Sequence, residues 1–226
     1  DGITKIPHFL QRLSSKCVLV VTDKGLIKVG TAGKVTAVLD NANIQYVVYD
    51  GVEPNPTTRI VYDALHFYQE HQCDAIIAIG GGSAIDTSKG IGIVVNNPEF
   101  ADIVSLEGCA PTRHKSVPII AIPTTAGTAA ETTINYVIID EKKQKKMVCV
   151  DPNDIPAVAI VDAELMYSLP KSLTAATGMD ALTHAIEGYI TKGAWEMSDM
   201  FEIEAVRMIA RYLPVAVAEP QNAQAR

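Results

Sequence analysis

Ile76-Ile77-Ala78-Ile79-Gly80-Gly81-Gly82-Ser83-Ala84-Ile85-Asp86 decides the fold. An apolar run of strand length meets three consecutive glycines. A helical pattern follows, with Ile85, Ile91, Ile93 and Val94 among its apolar positions. Strand, glycine turn, helix is the arrangement that brings backbone N–H groups up to an anionic group, because glycine has no Cβ to hold the ligand away. The partial positive charge of the helix N-terminus then faces a phosphate. Ser83 with Asp86 three residues on reads as a capping pair. The stretch is neither the G-x-G-x-x-G fingerprint nor a P-loop, which would end in Gly-Lys-Ser/Thr. A tight turn without a ligand is the plain alternative.

On either side of it the same alternation repeats. Cys17 to Thr22, Ile44 to Tyr49, Ile119 to Ile122 and Ala157 to Val161 are strand-like. Cys17 to Thr22 is continuously apolar, as in a parallel strand buried on both faces. Helical patterns run over about Pro7–Leu13, Thr31–Asn41, Thr57–Gln72 and Ser83–Asn97, and the stretch from Asn97 to Pro118 reads as loop. Strands alternating with helices imply a mainly parallel α/β sheet covered on both faces. Ligands of such sheets bind beyond the C-terminal strand ends. Asp23, Asp50, Gly80–Ser83, Thr124–Thr128 and Asp162 all fall there. Thr133–Asp140 and Lys146–Val150, separated by a charged turn, read as an antiparallel hairpin. From Lys171 onward no strand pattern recurs, and two helices flank a break at Thr191-Lys192-Gly193. The reading is an α/β domain over 1–169 and the start of an all-helical domain over 170–226.

The whole chain narrows the function classes. It has 226 residues and a net charge of −7, an acidic balance that argues against nucleic-acid or anionic-membrane partners. Lys142, Lys143, Lys145 and Lys146 form the one basic run and read as a solvated hairpin turn. Cys17, Cys73, Cys109 and Cys149 show no C-x-x-C spacing and suggest reduced, mostly buried thiols of a cytoplasmic protein. No apolar segment reaches the roughly 18 residues of a membrane span. The absence of an initial Met and the polar end suggest that both termini are cuts.

Asp180 and His184 stand at i and i+4, so on a helix they share one face. An oxygen and a nitrogen donor converging in this way suit a divalent metal such as Fe(II) or Zn(II), although a surface ion pair has the same spacing. Glu187, one turn beyond, reads as a supporting residue. Asp23 is either a helix or turn cap or a hydrogen-bond partner of a ribose hydroxyl, in which case its charge disfavours a 2′-phosphate. In the usual dinucleotide fold that acid follows the glycines by about 20 residues; here it precedes them. Thr124, Thr125 and Thr128 either satisfy loop backbone or hold part of a nucleotide. Neither a nucleophilic triad nor a general base is evident.

Three motifs together resemble the iron-dependent (group III) alcohol dehydrogenases: Gly80-Gly81-Gly82-Ser83-x-x-Asp86-x-x-Lys89, Pro123-Thr124-Thr125-Ala126-Gly127-Thr128-x-x-Glu131 and Gly178-x-Asp180-Ala181-Leu182-x-His184-x-x-Glu187. The resemblance covers nearly the whole chain. It implies an N-terminal α/β nucleotide-binding domain followed by a helical metal-binding domain, incomplete here. It implies NAD, with Asp23 and Asn55 on the adenosine side, Gly81, Gly82 and Ser83 at the pyrophosphate, and Thr124, Thr125, Thr128 and Lys146 on other parts of the cofactor. Asp180 and His184 match two of the family's four metal ligands; the other two are histidines beyond this chain. The implied activity is reversible reduction of a small aldehyde to an alcohol, lactaldehyde to 1,2-propanediol foremost, with 1,3-propanediol, butanol or ethanol as alternatives. A dinucleotide-binding fragment without catalytic activity is the competing reading. A homodimer is implied by the family.

Overall fold

The computed structural model describes residues 2–225. The chain packs as two units. Among the described residues, one comprises 2–123 with 130–162; the other comprises 124–129 with 163–225.

In the first unit, α1 (Ile6–Leu13) leads into β1 (Cys17–Val21). Next come α2 (Lys24–Lys28), α3 (Thr31–Asn41), β2 (Gln45–Tyr49), α4 (Thr58–Glu70), β3 (Ala75–Gly80) and α5 (Gly82–Asn96). β4 (Ile119–Pro123), β5 (Asn135–Asp140), β6 (Lys145–Val150) and β7 (Val158–Ala159) complete the unit. The strand order is β2-β1-β3-β4-β7, every neighbour parallel. The reason lies in the side chains. Every residue of β1, β3 and β4 is buried, which only a strand covered on both faces requires. β2, with a polar first residue and half-exposed remainder, takes the edge.

β5 and β6 form the expected antiparallel hairpin, with alternating burial that turns Tyr136, Ile138, Met147 and Cys149 inward. The hairpin rests on α5. A Cβ at Gly90 would lie only 3.1 Å from Ile138 Cδ1, so the absence of a side chain there sets how closely they approach. Of the lysine run, Lys142 and Lys143 occupy the turn, where Asp140 Oδ1 accepts from their N–H groups at 2.9 and 3.2 Å, whereas Lys145, which pairs with Glu107, and Lys146 already belong to β6.

The 97–118 segment contains two short 3-10 turns, Pro98–Phe100 and Ile103–Leu106. It is pinned by fully buried Asn97. Its amide donates to Ile93 O and His114 O at 2.8 and 2.9 Å, and its Oδ1 accepts from the N–H groups of Arg113 and His114 at 3.0 and 2.9 Å. One side chain thus does the work of a short strand in satisfying loop backbone.

The second unit is a pair of packed helices, α6 (Lys171–Ile190) and α7 (Glu196–Ala218). Small residues recur along α6 at Thr174, Gly178, Ala181 and Ala185, three or four apart, and three of these are buried. Leu213 of α7 lies over Gly178, 2.3 Å from where a Cβ would stand. α7 runs past Tyr212 and Pro214 to Ala218, whose carbonyl accepts from Lys171 Nζ at 3.1 Å. No helix among the described residues is long and apolar enough to cross a membrane.

Candidate nucleotide and metal sites

The chain leaves β1 for β2 on one side and returns to β3 on the other. The strand order therefore reverses between β1 and β3, where a parallel sheet opens a crevice at its C-terminal edge. Asp23 follows β1 and Gly81–Ser83 follow β3, so the structure brings them together. Asp23 carries out the cap reading: Oδ1 accepts from Leu26 N at 3.0 Å at the start of α2. Its Oδ2 lies 4.0 Å from the position a Cβ on Gly80 would take. One oxygen is spent on the helix, and the other borders the glycine turn. Gly51, after β2, forms an isolated bridge with Asp23.

α5 begins without any side-chain cap, and its N-cap is Gly81 in extended conformation. This corrects the Ser83–Asp86 capping pair. The Asp86 carboxylate turns instead to the hairpin and accepts from Val137 N at 3.2 Å. The spacing of a capping box is met, but the hairpin N–H competes successfully for the acid. The first N–H groups of α5 are left without a side-chain acceptor, as an anion site requires.

The remaining cofactor candidates are dispersed. Asn55 is exposed in the loop after β2, with φ of 56°. Lys146 is exposed on β6, close enough to α5 for its charge to favour the ionised form of Asp86. Thr124, Thr125 and Thr128 belong to the helical unit. Their loop packs on α6, with the Gly127 Cβ position 3.0 Å from Thr177 Cβ and from Thr177 O. Thr124 is buried and Thr128 exposed.

In the helical unit Asp180 Oδ2 and His184 Nε2 stand 3.7 Å apart on one face of α6, about half exposed. Two donors sharing one metal at about 2.0–2.2 Å are roughly 3–3.5 Å apart, so a small side-chain rotation makes this pair chelating. The donor chemistry fits a divalent ion and the outer side is open to further ligands. The described residues hold no group of three or more His, Cys, Asp or Glu that could enclose a metal. The pair is thus part of a ligand set.

Sequence reasoning missed a buried ionic cluster behind the glycine turn. Lys89, on α5, is fully buried. Its Nζ donates to Thr133 O, Asn135 O and Thr133 Oγ1 at 2.5, 2.9 and 3.2 Å, clamping α5 to the strand that enters the hairpin. Asp154 is also fully buried, and neither of its oxygens has a hydrogen-bond partner. Burial pushes Asp154 up to about 8 and Asp86 up to about 7, against the pull of Lys89 on both. Burial draws Lys89 down, against the pull of Asp154 first and then Asp86. The only sequence signal was the Asp86-x-x-Lys89 spacing, which says that the two share a helix face but not that the face is interior.

A pH dependence follows. Raised folded-state carboxyl pKa values mean that the native state holds more protons than the unfolded chain between about pH 4 and 8. The carboxyl contribution to stability is fully present below pH 4 and lost as pH rises towards 8, by up to about 1.4 kcal/mol per pH unit for each proton. Asp154→Asn is expected to flatten that decline in urea midpoints measured from pH 5 to 8. An equally steep decline in the variant counts against the assignment.

Residues 1–163 match the family model described as iron-containing alcohol dehydrogenase, and residues 174–226 match the C-terminal model of the Fe-containing alcohol dehydrogenase family. The chain is 56% identical over 214 residues to lactaldehyde reductase of Escherichia coli K12, covering 95% of this chain and 56% of the relative. It is 46% identical to 1,3-propanediol dehydrogenase of Citrobacter freundii, covering 100% of this chain and 58% of the relative. Among solved structures, a 1,3-propanediol oxidoreductase superposes with a TM-score of 0.94 at 43% identity, covering 99% of this chain and 58% of that one. A sulfoacetaldehyde reductase from Bifidobacterium kashiwanohense in complex with NAD+ superposes at 0.88 and 34% identity, with the same coverage. The chain therefore spans less than three-fifths of the length of these relatives. With both family models accounting for nearly all of its residues, the chain belongs to the iron-containing alcohol dehydrogenase family.

Proposed function

We propose that the protein is an NAD-dependent, metal-dependent oxidoreductase that interconverts a small aldehyde and its alcohol, with lactaldehyde and 1,2-propanediol as the preferred pair. The observation that carries this reading is the junction of Asp23 with an uncapped, glycine-led helix at the switch point of a parallel sheet. Phosphate oxygens are bound by the N–H groups at the start of α5, with Gly81, Gly82 and Ser83 leaving room for them. Asp23 hydrogen-bonds a ribose hydroxyl, Asn55 supports the adenosine side, and Lys146, Thr124, Thr125 and Thr128 hold other parts of the cofactor. Asp180 and His184 hold Fe(II) or Zn(II) together with ligands from outside this chain. That ion supplies Lewis-acid polarisation of the substrate oxygen. The partner subunit is a second copy.

The test is NADH oxidation by the full-length protein with lactaldehyde, 3-hydroxypropanal, butanal and acetaldehyde, with Fe(II) or Zn(II) added. Turnover highest with lactaldehyde, and reduced by at least about 100-fold in His184→Ala, is the expected result. A folded protein that turns over none of these aldehydes overturns the proposal.

The charge on Asp23 predicts a preference for NAD over NADP. Asp23→Gly is expected to narrow the ratio of the two affinities at least tenfold, about 1.4 kcal/mol. Glycine is a tolerable N-cap, so the loss to α2 is a few tenths of a kcal/mol and a melting curve separates the two effects. Equal affinity for both cofactors in the unmutated protein contradicts the role given to Asp23.

A further inference from the structure

We propose that Cys17 and Cys73 form an intramolecular disulfide site, closed by a two-electron oxidant of the peroxide class and reopened by a thiol reductant. The two residues are 56 positions apart in sequence, yet their sulfurs are 3.8 Å apart. Cys17 opens β1, and Cys73 ends the turn from α4 into β3. The backbone between them is already fixed. Asp74 N donates to Cys17 O at 2.9 Å. The Asp74 carboxylate accepts from Ser15 Oγ, Lys16 N and Cys17 N at 2.6, 2.8 and 3.3 Å. From Val18 opposite Ala75 onward, β1 and β3 pair in parallel.

Cys73 stands one residue before the position opposite Cys17. Strand spacing and rise place their Cα atoms on the order of 6 Å apart, inside the range a disulfide spans. Closing the sulfurs to about 2.05 Å then needs side-chain rotation rather than backbone movement. Exposures of 7% and 8% admit a small oxidant while excluding a protein thiol from direct attack.

The chemistry balances. One thiolate attacks peroxide, the O–O bond breaks, and a sulfenic acid and hydroxide result. The second thiolate attacks that sulfur, the S–S bond forms, the S–O bond breaks and the second oxygen leaves as water after protonation. Two thiols lose two electrons and two protons, and one hydrogen peroxide becomes two waters. Burial, then the neighbouring Cys17 and Asp74, hold the Cys73 thiol up at about 12, so oxidation at neutral pH is slow. The bond would staple the N-terminal ends of β1 and β3, whereas Asp23 and the glycine turn lie at their C-terminal ends. The staple constrains the unfolded chain and leaves the nucleotide edge unaltered.

The experiment uses the chain with exposed Cys109 changed to serine, which removes cross-linking between copies. The protein is treated with hydrogen peroxide at mildly alkaline pH, denatured in iodoacetamide and mapped without reduction. The expected result is loss of the mass of two hydrogens, a linked pair of Cys17 and Cys73 peptides, and reversal by dithiothreitol. A melting temperature raised by several degrees accompanies it. Alkylation of both cysteines after oxidation, a sulfinic acid at either, or a bond from either to Cys149 instead overturns the proposal. Because the linked pair is read with both cysteines in place, a serine variant that fails to fold does not enter the result.

Discussion

Lys89→Met is expected to lower the stability of the α/β unit by about 3–5 kcal/mol, the usual consequence of removing one partner from a buried charged cluster. Methionine keeps most of the stem and its packing, so the change isolates the ammonium group. Its loss leaves the partly buried Thr133 O without this donor, at up to about 1–3 kcal/mol, while Asn135 O keeps the Thr133 hydroxyl as a donor at 3.1 Å. It also removes the cation that moderates Asp86 and Asp154. Urea unfolding followed by circular dichroism reads the loss. The double variant Lys89→Met, Asp154→Asn is expected to recover part of it, because the second change removes the acid left unbalanced. A single variant as stable as the parent shows that the clamp between α5 and the hairpin has no energetic weight.

Gly80→Ala is expected to weaken NAD binding at least tenfold and to destabilise the unit by about 1–3 kcal/mol. The new methyl would stand 2.7 Å from Ala84 Cβ, well inside the roughly 3.5–4.0 Å of an ordinary carbon contact. Neither side can give readily. Gly80 ends a fully buried central strand, and Ala84 is buried in the first turn of α5. The movement that relieves the overlap shifts the N–H groups proposed to hold the phosphates. Gly33→Ala serves as the control, since this residue is exposed on α3 and nothing lies within 4 Å of its Cβ position. It should raise stability by about 0.5–1 kcal/mol and leave NAD affinity alone. Calorimetric titration that finds unchanged affinity in Gly80→Ala removes the glycine turn from the proposed site.

Asp86 shows where reading the chain reached its limit. Three residues after Ser83, at the head of a helix, it fits the spacing of a capping pair. The structure gives it to Val137, a residue 51 positions away. Asp23 shows the opposite case. Both of its readings concerned local geometry at a strand end; the cap is formed, with one oxygen on Leu26, and the other oxygen lies beside the glycine turn, where the proposed ribose contact would be made. Thr124–Thr128 were legible as a polar loop at a strand end, but their packing with α6 follows from a contact between Gly127 and Thr177, 50 positions apart in the sequence. Asn97 carried no signal beyond its place before a proline, and it proves to be the buried anchor of the long loop.

The sequence by itself determined the main elements and their order: continuous apolar runs for central parallel strands, a charged turn between two strand-like segments for the hairpin, and three glycines for the turn between β3 and α5. These depend on periodicity and on what a missing Cβ permits, properties that neighbours in the chain settle among themselves. Only the tertiary structure decided that Lys89, Asp86 and Asp154 share one buried cluster, that Asp23 borders the glycine turn, and that Cys17 meets Cys73. Each is a pairing between segments far apart in sequence. A charge or a thiol takes its chemistry from how much water and which opposite group remain around it, and folding alone settles both.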